Sequence, residues 1–209
     1  MLNVPRPSAA ARFAESRFRP SFLVADLAAA IQSDRPHRAN GELAHHVRKE
    51  RHGDATYYNV NRHLNYSNLC VLSCKFCEFH RKPGQDGAYQ YSIEEVVQQA
   101  EHASAAGATE MHIVGGLHPK LKFNYYTDLL KAVRAATPSI HLKAFTAVEL
   151  THLARIHKRD RKGQPGAGTI KGMLEDLIEA GLGSLPGGGA EVFDDRVHNE
   201  VFRGKIGGL

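Results

Sequence analysis

From Ser92 to Leu185 the apolar positions alternate between two rhythms. Ile93, Val96, Val97, Ala100 and Ala103 recur at helical spacing behind a Ser92–Glu95 capping box, and Gly107 stops the run. Residues 111–114 then form a short apolar strand ending in Gly115-Gly116. Asn124 stands where it would cap a helix carrying Tyr126, Leu129, Leu130 and Val133, finished by Pro138. Residues 140–145 read as a strand, residues 148–158 as a helix, and residues 160–168 as a polar loop with Gly and Pro. Thr169 caps a further helix with Ile170, Met173, Leu174, Leu177 and Ile178, closed by Gly181. Residues 183–185 are the last strand, with Pro186-Gly187-Gly188-Gly189 at its end. Upstream, residues 55–64, with Tyr57, Tyr58 and Val60, read as the first strand. Two short helical patterns, residues 23–32 and 41–51, come before it.

Strands alternating with helices predict right-handed βαβ units and a parallel sheet, an α/β fold. Functional loops of such a fold belong at the carboxyl ends of the strands. Four segments fall there: the loop after the first strand, Gly115-Gly116, the stretch from Phe145 to Glu149, and the stretch from Gly187 to Glu191. About four βα units are counted before the chain reaches Leu209. The expectation is therefore a fold cut short, with an open strand edge and an apolar concave face prone to aggregation.

Composition narrows the class. The chain has 209 residues, 42% of them hydrophobic, enough for one globular domain. No apolar run approaches the roughly 20 residues that span a bilayer, so no membrane insertion is expected. The balance of 27 basic and 22 acidic side chains gives a net charge of +5, without a long basic block. That balance suits an anionic small molecule and does not call for nucleic acid. The first 20 residues hold four arginines and one acid, Glu15, and read as a disordered leader, with a transit peptide as the alternative. Residues 1–52 are taken as leader and helical extension, and residues 53–209 as the core.

All three cysteines, Cys70, Cys74 and Cys77, lie within eight residues. An odd, tightly clustered set is a poor disulfide framework and points to a reducing compartment, hence the cytoplasm. Three thiolates on one loop can bind three irons of a cubane cluster and leave the fourth iron open for chemistry. Electron-transfer ferredoxins and structural zinc sites take four protein ligands instead. The competing readings are a zinc site completed by His80 or His63, a non-catalytic iron–sulfur module, and incidental thiols.

The spacing Cys70-x3-Cys74-x2-Cys77, with Phe76 before the last cysteine, resembles the radical S-adenosylmethionine superfamily. The words around it are similar to the aminofutalosine synthase family. They are Asn61 to Asn68, His112 to Lys120, Lys143 to Glu149, and Ser184 to Glu191. The resemblance runs from about Arg51 to Gly204 and covers only the amino-terminal part of the family's length. For the fold it implies the amino-terminal part of a partial (βα) TIM-like barrel. For the site it implies Cys70, Cys74 and Cys77 as ligands of a [4Fe-4S] cluster and Phe76 near the adenine. Gly115 and Gly116 would approach the methionine moiety of S-adenosylmethionine, the co-substrate, where a Cβ would obstruct. The implied reaction belongs to menaquinone biosynthesis. A 5′-deoxyadenosyl radical adds to 3-[(1-carboxyvinyl)oxy]benzoate, and rearrangement with loss of bicarbonate gives 6-amino-6-deoxyfutalosine. The nearest rivals are radical enzymes that cyclise dehypoxanthine futalosine or assemble the deazaflavin chromophore. An electron donor such as flavodoxin or ferredoxin is implied as partner.

A substrate with two carboxylates makes Lys143, His118 and Lys120 candidates near strand ends. Glu149 and Glu191 are candidates for ribose hydroxyls, the methionine amine or a base. Each has a plainer role: Lys143 can snorkel from a strand, His118 can cap the turn at Pro119, and Glu149 can serve a helix start. His63 and His112, in strand segments, are weaker candidates.

Overall fold

The structure, a computed structural model, describes residues 36–188, 192 and 194–202. The helical pattern at residues 23–32, the leader and Glu191 lie outside the described residues. Two compact units divide the chain, Met1–Tyr58 and Asn59–Leu209. In the first, helix α1 (Pro36–His52) covers the pattern seen at residues 41–51 and ends on Lys49, Arg51 and His52, cations that suit its carboxyl-terminal dipole.

The second unit runs β1 (Asn61–Asn65), α2 (Ile93–Ala105), β2 (Glu110–Val114), α3 (Phe123–Ala136), β3 (His141–Ala144), α4 (Ala147–Asp160), α5 (Ile170–Glu179) and α6 (Asp195–Val201). The strands form one parallel sheet in the order β1-β2-β3. The Ser92–Glu95 capping box closes both ways at the head of α2, and Gly107, at φ 82°, turns the chain off its end.

Three expectations shift. Pairing of β1 starts at Asn61 rather than in residues 55–60, where Tyr57 and Tyr58 are exposed. Helix α3 begins at Phe123, before Asn124. Its first N–H donates to the Asp160 carboxylate at the end of α4, 2.8 Å away, so a distant side chain does the work assigned to Asn124. The fourth strand is reduced to a single parallel bridge between Ser184 and Lys143. Gly183 brings no side chain, Pro186 has no N–H, and Gly187 and Gly188 both take positive φ, so nothing extends the ladder. Three full βα units and this bridge replace the four expected.

The outer face of the sheet carries the core. Leu64, Met111, Ile113, Leu142 and Ala144 pack against Val96, Ala100, Leu129, Leu130, Leu153, Met173 and Leu177 from the helices. Burial of each larger side chain contributes about 2–3 kcal/mol, which holds helices to sheet.

The inner face corrects the expectation of an apolar concave surface. It carries Asn61, His63 and Asn65 from β1, Glu110 and His112 from β2, and His141 and Lys143 from β3. Glu110 accepts from Asn61 at 2.6 Å and from Lys143 at 2.5 Å, His63 and His112 meet edge to face at 5.0 Å, and His141 bonds Ser184 at 2.7 Å. Strict alternation along each strand puts these polar groups together once the outer face is apolar. The inside of the sheet is a hydrogen-bonded polar surface.

Candidate active site

The carboxyl ends of all three strands meet at a cavity of about 240 Å³. Cys70, Cys74, Cys77, Phe76 and His80 line it from the loop after β1. Val114 and Gly115 line it from the end of β2, and Thr146 and Glu149 from the start of α4. The sequence-predicted cysteines, Phe76, Gly115 and Glu149 are therefore brought to one place.

The cysteine loop is a hydrogen-bonded platform. Asn68 accepts from the Tyr89 N–H and donates to the Gly87 carbonyl, both at 2.8 Å. Ser67 Oγ donates to the Tyr89 carbonyl at 2.8 Å. The Cys70 N–H donates to Arg81, the Val71 N–H to Leu117, and the Cys77 N–H to the Cys74 carbonyl. Cys74 is buried, while Cys70 and Cys77 are half-buried. Helix α6 approaches the same loop: the Lys75 N–H donates to Val201 at 3.0 Å, Lys75 pairs with Glu200, and the rings of Phe76 and Phe202 meet at 4.7 Å.

Of the two histidines considered for zinc, His63 points into the inner face of the sheet, while His80 lines the cavity beside the cysteines. His80 Nδ1 donates to the Cys77 carbonyl at 2.7 Å, and His63 Nε2 bonds Asn65 at 2.8 Å. Among the described residues no three of His, Cys, Asp and Glu are gathered closely enough to hold one metal ion. A cubane takes each thiolate at a separate iron, so its ligands line a space rather than surround a point. Three thiols around a cavity fit that demand.

Glu149 ties the three strand ends together. Its Oε1 accepts from the Gly115 N–H at 2.9 Å and from the Tyr66 hydroxyl at 3.0 Å. Its Oε2 accepts from the N–H and the hydroxyl of Thr146, both at 2.8 Å. Thr146 and Glu149 form a reciprocal capping box at the head of α4, a Thr-x-x-Glu signal that starts two residues before the helix predicted from residue 148. The preceding Phe145 is buried at φ 62°, a left-handed conformation unusual for a bulky side chain, and its ring packs on Tyr66 and Tyr126. Burial pushes the Glu149 carboxyl up to about 7, against the four hydrogen bonds that favour the carboxylate. The same burial, with the Glu149 charge beside it, raises the Tyr66 phenol well above its ordinary value.

The glycine pair is required by protein atoms. A Cβ on Gly115 would stand 2.6 Å from the Tyr66 ring, and one on Gly116 would stand 2.3 Å from the Leu69 carbonyl oxygen. The Gly116 N–H donates to the Ser67 carbonyl at 2.8 Å. The turn after β2 thus lies directly on the chain leading into the cysteine loop.

The remaining candidates sit apart from the cavity. His118 is buried, and its Nδ1 accepts from the N–H groups of Lys120 and Leu121, so it caps its own turn; burial lowers its basicity. Lys120 is exposed. Lys143 pairs with Glu110 on the inner face, which holds that carboxyl below its ordinary range. His112 lies beside it, and burial, then His63, lowers its basicity. Tyr66, which holds Glu149, and Lys82, which donates to the carbonyls of Cys70, Val71 and Leu72, carried no periodic signal that would mark them in the sequence.

Comparison with known proteins bears on this arrangement. The family model of the radical SAM superfamily matches residues 64–206. The aminodeoxyfutalosine synthase of Streptomyces coelicolor is 46% identical over 166 residues, which cover 77% of this chain and 39% of that protein. The aminodeoxyfutalosine synthase of Thermus thermophilus is 37% identical over 164 residues, 78% of this chain and 42% of that protein. The chain thus spans about two fifths of the length of these relatives. Among solved structures, methylornithine synthase aligns with a TM-score of 0.52 at 16% identity, covering 84% of this chain and 57% of that one, a likeness of fold alone.

Proposed function

The chain belongs to the radical SAM superfamily, and from that premise we propose that it carries the cluster and S-adenosylmethionine site of an aminodeoxyfutalosine synthase. The observation that carries the reading is the single cavity where Cys70, Cys74 and Cys77 face Gly115 and Glu149. The 46% identity to the Streptomyces enzyme supports this member of the superfamily over others.

In this reading the three thiolates hold a [4Fe-4S] cluster. When bound, the cluster supplies the electron that cleaves S-adenosylmethionine to methionine and a 5′-deoxyadenosyl radical. The rest is done by the chain's own residues. Phe76, half-exposed at the cavity, offers a face to the adenine. Gly115 presents backbone to the methionine end, Gly116 lets the turn lie against the chain before the cysteine loop, and Glu149 fixes the plane of that turn through the Gly115 N–H. Below Asn65 and Val114, His63, His112 and Lys143 form one row across the three strands. That row offers imidazole N–H donors to the carboxylates of 3-[(1-carboxyvinyl)oxy]benzoate, with Lys143 held beside them by Glu110. No described helix is long and apolar enough to cross a membrane. Reduction requires an electron donor such as a flavodoxin or ferredoxin.

The test is anaerobic reconstitution with iron and sulfide, followed by S-adenosylmethionine, dithionite and the enol-ether benzoate. A brown chain that releases 5′-deoxyadenosine supports the superfamily chemistry, and 6-amino-6-deoxyfutalosine in the products supports the named reaction. A colourless zinc protein refutes the first. Cleavage with the enol ether left unconsumed by a chain extended to the relatives' length refutes the second.

A further inference from the structure

The three residues after the cysteine loop's Phe79 are His80, Arg81 and Lys82, a basic run of the kind that usually lies in solvent. Here it folds back under the loop. The Lys82 ammonium donates to three successive carbonyls, those of Cys70 at 2.9 Å, Val71 at 3.0 Å and Leu72 at 2.8 Å. The Arg81 guanidinium reaches the carbonyls of Glu78 at 2.7 Å and His80 at 2.9 Å. His80 takes the Cys77 carbonyl. The Lys82 N–H is itself held by Gln85 at 2.6 Å, which fixes the turn from which the side chain departs.

We infer that Lys82 is a positioning residue that forms the Cys70–Leu72 backbone before any cluster binds and that favours the reduced state of the cluster once it is there. The inference rests on the cluster reading above. Three neighbouring carbonyl dipoles aimed at one point repel one another, and they stay convergent only around a cation. An ammonium has three donors, one for each. Cys70 is the ligand at stake, because its own carbonyl is one of the three and its N–H is already tied to Arg81. The electrostatic half follows from the same geometry. A thiolate-ligated cluster becomes more negative on reduction, so a fixed positive charge beside its loop shifts the balance toward the reduced form.

The experiment compares Lys82→Met and Lys82→Arg with the wild-type 209-residue chain, all reconstituted anaerobically. Lys171→Met, on an exposed lysine of α5, is the surface control. Two quantities are read: the rate of iron loss to a chelator and the midpoint potential of the cluster by redox titration. Lys82→Met is expected to lose iron about tenfold faster, the order of effect for removing charge-assisted hydrogen bonds. Its potential moves to more negative values, while Lys82→Arg stays near wild type. The potential is measured on loaded molecules only, so partial misfolding of a variant does not disguise the result. Wild-type potential and wild-type iron loss in Lys82→Met overturn the inference. The cluster reading fails separately: a wild-type chain that takes up no cubane, or one that loads equally after Cys70→Ala, Cys74→Ala or Cys77→Ala, sinks it before any lysine variant is compared.

Discussion

Replacing Glu149 with Gln should make the chain's stability less dependent on pH, with an effect that changes sign. Glu149 is buried, and burial raises its carboxyl in the fold to about 7 from an ordinary 4.5. Below the unfolded value the group is protonated in both states and costs nothing. As pH rises past it, the unfolded chain ionises freely while the fold resists, so stability falls until the folded carboxyl has ionised too. Between pH 5 and pH 8 this one group removes about 2–3 kcal/mol. A glutamine cannot ionise. It keeps an oxygen for the Gly115 N–H and the Tyr66 hydroxyl, but its amide nitrogen faces the Thr146 N–H and leaves that donor without an acceptor, a cost of about 1–3 kcal/mol at every pH.

Glu149→Gln is therefore expected to be less stable than wild type at pH 5 and equal to it or more stable at pH 8. Urea unfolding of both chains at several pH values reads this directly. Every other side chain is the same in both proteins, so its contribution cancels in the difference. If the two curves of stability against pH stay parallel, the carboxyl is not held in the environment described, and the account of Glu149 as the tie between strand ends fails.

Gly116→Ala should destabilise more than Gly115→Ala, because its Cβ meets a backbone oxygen at 2.3 Å while that of Gly115 meets a side-chain ring; urea midpoints give the order, and overpacking of this kind costs about 1–3 kcal/mol. A smaller residue at Tyr66 should recover part of the loss in Gly115→Ala and none in Gly116→Ala, and the reverse pattern would refute the contacts. Lys143→Met leaves Glu110 with only Asn61 and a more distant Asn59 as donors and should cost about 1–2 kcal/mol, with most of it recovered in the double variant Lys143→Met, Glu110→Gln. Equal losses in the single and double variants would show that Lys143 contributes by packing rather than charge.

Much of the frame is legible in the sequence because it depends on side chains that repeat. Apolar positions at helical spacing located α2 to α5, and short apolar runs, one between Gly107 and Gly115 and one after Pro138, located β2 and β3. The strand that failed, residues 183–185, lacks what a strand uses: Gly183 contributes no side chain and Pro186 no donor. The polarity of the inner face was also readable, since Asn61, His63, Asn65, Glu110, His112, His141 and Lys143 alternate with the core positions. Treating strands as buried on both sides hid it. Strands of a closed parallel sheet in an ordinary core are, but strands that front a site carry their polar residues toward it.

The supports of the site escape pattern reading for a different reason. Lys82 acts on three backbone carbonyls and Glu149 reaches the Gly115 N–H, and a carbonyl or N–H is present at every position, so no residue type at the receiving end announces these contacts. Lys82 reaches back ten to twelve residues and Glu149 reaches across thirty-four to Gly115. Cys70 could be named from the sequence because its own chemistry marks it, and Gly115 and Phe76 because the words around them resemble those of a known family. What holds Cys70 and Gly115 in place is a cation under one loop and a carboxylate behind one turn, and only the fold brings them there. The two supports also have opposite electrostatic consequences. Lys82 adds positive charge near the thiols, while an ionised Glu149 adds negative charge at the turn beside them. A pH rise through about 7 ionises Glu149. The potential of a bound cluster should therefore fall across that interval in wild type by more than in Glu149→Gln. A potential that follows pH equally in both chains would separate the turn from the cluster electrostatically and confine Glu149 to a role in folding.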